Sequence, residues 1–79
     1  MKMYNYEATK AIKAEIAGYE KQSQELIEQR SRIYESARED NRCIDLFEEH
    51  NIIVINQQLR ELQDLTNDAL YRLYKCEEK

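Results

Sequence analysis

Seventy-nine residues with one glycine, Gly18, and no proline leave little material for the corners of a turn-rich β fold. Twelve basic and sixteen acidic residues give a net charge of −4, and neither half of the chain holds the block of Lys and Arg that direct nucleic-acid binding needs. The hydrophobic fraction of 42% argues against compositional disorder, yet a chain this short buries only about 60% of its unfolded surface, so oligomerisation, a metal or disulfides are expected to add to its core.

In chain order, the first predicted helix covers about 5–39. Asn5 suits the N-cap, and Glu7 then sits in the first turn, where the helix dipole favours it. Apolar or small residues recur at three-four spacing through Thr9, Ile12, Ile16, Tyr19, Ser23, Leu26, Arg30, Ile33 and Ala37. This is a heptad seam with polar interruptions at Ser23 and Arg30. Ala8, Ala11, Ile27 and Tyr34 widen the stripe, and Glu28–Arg32 forms an i,i+4 pair on the exposed side.

Arg38-Glu39-Asp40-Asn41 lacks any hydrophobe and predicts a turn at about 40–42. A second helix follows over about 43–77, with its seam at Ile52, Ile55, Leu59, Leu62, Thr66, Ala69, Leu73 and Cys76. Leu65 and Leu70 lie beside that seam, and Ile44 and Phe47 fall on a shifted phase, as after a stutter. The run Ile52-Ile53-Val54-Ile55 is wholly β-branched and comfortable in a strand. No second strand candidate exists to pair with it, so helix is the main reading, with a kink or break near 50–51 as the alternative.

Two helices of similar length suit an all-α, antiparallel, coiled-coil-like hairpin forming a single domain. With a turn centred near 40–41, the numbers of facing residues add to about 81. Ala37 then meets Ile44, Ile33 meets Phe47, Leu26 meets Ile55, Tyr19 meets Leu62, Ile16 meets Leu65 and Ile12 meets Ala69. Arg30 falls near Asn51, either fixing the register or snorkelling to water. Apolar residues remain on more than one face, which predicts a four-helix homodimer of two hairpins. Its oligomer seam draws on Ile12, Ile16, Leu26, Ile33, Ile52, Ile55, Leu59 and Leu62.

Few residues invite chemistry. A Glu-x-x-His metal motif ending at the single histidine, His50, would need an acid where Phe47 stands. Cys43 and His50, seven residues apart on a helix, lie about 10 Å apart along its axis and cannot share an ion. Cys43 and Cys76 fall at opposite ends of the hairpin, too far apart for a disulfide. Carboxylate pairs such as Asp45 with Glu49 and Glu61 with Asp64 read as solvated surface charge. No cofactor, metal or catalytic residue is expected.

Ser23-Gln24-Glu25-Leu26 resembles the start of the Ser-Gln-Glu-Leu-Asp signature of the small two-helix aspartyl phosphatases that regulate sporulation. Ile27 stands where that signature has its acid. The family carries the motif on its second helix, and the corresponding stretch here, Asn56-Gln57-Gln58-Leu59-Arg60, also lacks the acid. The resemblance implies at most a two-helix regulator without the phosphatase's signature residue.

Six of the seven aromatic residues are tyrosine. The hairpin gathers Tyr4, Tyr6, Tyr71 and Tyr74 at its open end, where they either close the bundle or contact a partner through rigid, amphipathic rings. The mixed charges around the turn, Arg30, Arg32, Arg38 and Arg42 among Glu35, Glu39 and Asp40, form a second candidate surface. The expected role is non-enzymatic: a small regulator or inhibitor, of the kind phages and bacteria encode, that docks on a larger protein. A structural or chaperone-like subunit of a heteromeric helical assembly is the alternative. No stretch of about 18 apolar residues predicts a membrane span, and the charged start is no signal segment, so a cytoplasmic location is expected.

Overall fold

The computed structural model describes residues 6–77. Helix α1 runs over Tyr6–Glu39 and helix α2 over Leu46–Glu77. The two pack side by side as the antiparallel helical hairpin expected from the sequence. Tyr4 and Asn5, the expected N-cap, lie outside the described residues.

The turn is built by two capping motifs back to back. Asn41 adopts the left-handed backbone, φ 55°, which Asn tolerates better than other non-glycine residues. Its N–H donates to the Arg38 carbonyl at 3.1 Å, and the Arg42 N–H donates to the Ala37 carbonyl at 3.0 Å. This is a Schellman ending that satisfies two orphan carbonyls of α1. Four residues later Asp45 caps α2. Its carboxylate accepts from the Glu48 N–H at 2.7 Å, and the Glu48 carboxylate accepts from the Asp45 N–H at 3.2 Å, a reciprocal capping box.

Arg42 ties the two motifs together. Its guanidinium donates to both Glu48 oxygens, at 2.7 and 2.9 Å, and lies 3.4 Å from Asp40. It also donates to the Cys43 carbonyl at 3.3 Å. Bidentate arginine–carboxylate pairs are directional as well as strong, so this clasp sets the angle at which the chain leaves α1 and enters α2.

The capping box corrects the expected boundaries. The turn is not 40–42 followed by helix from 43; the connection spans 40–45, and α2 starts at Leu46. The register shifts with it. Two interhelical bonds, Arg30 to Asn56 at 2.7 Å and Arg72 to Glu15 at 2.6 Å, join residues whose numbers add to 86 and 87 rather than about 81. Arg30 therefore pairs with Asn56 and not with Asn51. Ile33 does not meet Phe47, which is 75% exposed, and Leu65 is also exposed. The sum nearest these that brings one seam onto the other is 85, a slip of four residues from 81 and close to one helical turn. Pairs adding to 85 place Ile12 opposite Leu73, Ile16 opposite Ala69, Leu26 opposite Leu59 and Ile33 opposite Ile52.

Every seam position is buried or half-buried. Thr9, Ile12 and Ala37 of α1 are buried against Ile52, Ile55, Leu62 and Ala69 of α2, while Ile16, Leu26, Ile33 and Leu59 are half-buried. Small residues such as Ala37 and Ala69 let the helices approach closely. The β-branched run 52–55 is helical, with no break at 50–51. Helix propensity costs such residues at most about 0.7 kcal/mol each, whereas burying an isoleucine contributes about 1.5–3 kcal/mol. Ile52 and Ile55 are buried and Ile53 is exposed, a helical rather than an alternating pattern.

The clasp predicts acid sensitivity. The Arg42 guanidinium, aided by the Asp45 N–H, pulls the Glu48 carboxyl down to about 2, below the usual value of about 4.3 that it keeps when unfolded. Between those values the unfolded chain binds the extra proton, so the clasp's contribution is complete above pH 4.3 and disappears as pH falls toward 2. Urea unfolding from pH 6 to 2 is expected to show a shallower loss of stability for Glu48→Gln than for the wild type. Equal slopes would remove the clasp as the acid-sensitive element.

Candidate protein-interaction surface

The register defines two flanks. On both helices the residue directly after a seam position lies on one side of the hairpin, and the residue directly before it lies on the other. The preceding set forms a shallow groove with a floor of Leu26, Leu62, Ile33 and Ile55 and a rim of Gln29 and Gln58. The following set is different in character. Ile27 and Tyr34 of α1 and Ile53, Leu70 and Tyr74 of α2 fall on it, Tyr6 and Leu46 continue it at whole-heptad spacing, and all seven are exposed. Of the exposed large apolar residues among those described, only Phe47 and Leu65 face the groove side, and Tyr71 points outward from α2.

The apolar flank corrects a second expectation. Ile27 and Tyr34 do not widen the buried stripe; they are 37% and 44% exposed. Leu70, expected beside the seam, is exposed too, and so is Leu46 at 83%. Two helices cover only the stripe they share, and one residue past the seam is already beyond the partner helix.

The flank's apolar residues gather at its ends. Ile27, Tyr34, Leu46 and Ile53 lie toward the turn, and Tyr6, Leu70 and Tyr74 toward the open end. Tyr71 shares that open end but not that flank, and the Lys75 ammonium sits 5.5 Å from its ring centre, within cation–π range. The expected tyrosine cluster is thus spread over two surfaces, with Tyr4 outside the described residues.

A charged network locks the open half on the groove side. Arg72 donates to both Glu15 oxygens and to Asp68 at 3.1 Å, and the Tyr19 hydroxyl donates to Glu15 at 2.7 Å. The Arg72 bond, then the Tyr19 bond, hold the Glu15 carboxyl below the usual carboxylate range. The same bond pushes the Tyr19 phenol up. Among the described residues the i,i+4 ion pair is Asp68–Arg72, and Glu28 and Arg32 are not within ion-pair distance. Cys43 is exposed in the turn, not on a helix with His50, and Cys76 is half-buried at the seam's far end. Among the described residues no group of His, Cys, Asp and Glu is placed to hold a metal, and no helix is long and apolar enough to cross a membrane.

Burial separates the core from the free surface in a measurable way. Ile52→Ala, at a site 7% exposed, is expected to lower unfolding stability by about 2–4 kcal/mol at fixed protein concentration. Phe47→Gln is expected to change it by no more than about 0.5 kcal/mol. A comparable loss from Phe47→Gln would mean that this ring is covered in solution.

No protein-family model, curated protein or solved structure matches the chain.

Proposed function

We propose that this protein works as a non-catalytic docking module, a small regulator or inhibitor that covers a surface of a larger protein. The observation that supports the reading is the set of exposed rings at the open end: Tyr6, Tyr71 and Tyr74 are each at least 60% exposed. Tyrosine buries a large area at low entropic cost and keeps a polar tip, which is why it anchors protein interfaces. The net charge of −4 and the dispersed basic residues favour a protein partner over nucleic acid.

The test is affinity capture from extracts of the source cells, quantified against a double variant, Tyr71→Ala with Tyr74→Ala. Both side chains are exposed, so helicity by circular dichroism should stay unchanged. A specific target is expected to be retained by the wild type and to bind the double variant at least tenfold more weakly, since anchor residues carry more than about 1 kcal/mol each. Equal capture would remove the open end as the docking surface. A hairpin that becomes fully helical only with the captured chain present would favour a subunit of a heteromeric helical assembly.

A further inference from the structure

The hairpin is one helix thick. Its extents are 64 × 17 × 12 Å, and its radius of gyration is 18.1 Å, against about 12 Å for a compact chain of this length. Its accessible surface is 6411 Å². A compact monomer of the same mass exposes about 5,000 Å², so roughly 1,400 Å² per chain is left over. A standard interface removes about 800 Å² from each partner, and obligate homodimers remove more. The surplus is therefore what a second helical layer would cover.

We propose that the flank bearing Ile27, Tyr34, Leu46 and Ile53 packs against the same flank of a second copy, with the turns of both hairpins at the same end. Apolar content selects the flank, because hydrophobic burial drives most association and the groove side mixes Leu65 and Val54 with Gln, Glu and Arg side chains. The cluster of apolar residues near the turn selects the orientation. With turns together, the two-fold axis runs along the hairpins, and each α1 lies over the other copy's α2. Arg38 then comes opposite Glu49 of the second copy, and Tyr34 falls between that copy's Leu46 and Ile53. Arg38 and Glu49 share this flank, and neither has an ion-pair partner among the described residues. With turns opposed, α1 lies over α1, and the apolar residues near the two turns no longer face one another. The turns-together dimer also brings Tyr71 of both copies, which lies off this flank, to one end. It does not depend on the docking reading above.

Cys43, exposed in the turn, is a ready label site. A nitroxide on Cys43 in the full chain carrying Cys76→Ala allows pulsed dipolar distance measurement. Packed helical layers lie about 10 Å apart, so labels at adjacent turns are expected within roughly 30 Å. A distance near the 64 Å length of the hairpin, or no dipolar coupling at all, would overturn the proposal. Ile53→Arg is expected to raise the dimer dissociation constant at least tenfold, while Leu65→Arg on the groove side leaves the short distance in place. The reverse pattern would overturn the choice of flank. Equal target capture by wild type and the tyrosine double variant, with the short distance intact, would overturn only the docking reading.

Discussion

Two helices lying side by side can hide one stripe each, and everything else in this molecule follows from that limit. The stripe is well made: seam meets seam along the hairpin, with small residues where the backbones approach and no proline to interrupt either helix. Yet it buries few side chains, and the largest of these are isoleucine and leucine. Isolated helices gain little stability from propensity and depend on packing, and a domain needs two packed layers to enclose a core. Here there is one layer, with an apolar flank left facing outward.

Polar contacts fix how the stripe is aligned rather than how strongly it holds. The Arg42–Glu48 clasp and the Asp45 cap decide where α2 begins. Arg30 with Asn56 and Arg72 with Glu15 then hold the helices in the register that the turn dictates. These pairs are exposed, and exposed ion pairs contribute little to stability. Their value lies in specificity: a slip of one turn would still match apolar to apolar, and only the polar partners distinguish the two registers.

That near-degeneracy explains what was legible in the sequence. The heptad positions from Thr9 to Ala37 and from Ile52 to Cys76 could be read directly, because the three-four period survives any shift of one turn. The connection could not be read from Asp40-Asn41 alone. Asp45 and Glu48 at capping-box spacing were the missing signal, and weighing them would have moved the start of α2 and exposed Phe47. The apolar flank was hidden for a related reason. Ile27 and Tyr34 sit next to seam residues, and adjacency in sequence resembles a wider stripe until the packing geometry shows where the partner helix ends. The tyrosines illustrate the same point: Tyr71 and Tyr74 share an end of the hairpin but point to different surfaces.

The proposed bundle consists of two hairpins, each supplying through its apolar flank the second layer that the other lacks. Sedimentation equilibrium together with thermal unfolding followed by circular dichroism, over a hundredfold range of concentration, tests it most directly. Two packed hairpins are expected to show a mass of two chains and a melting temperature that rises with concentration, because dissociation is linked to unfolding. A fully helical monomer whose melting temperature ignores concentration would contradict it.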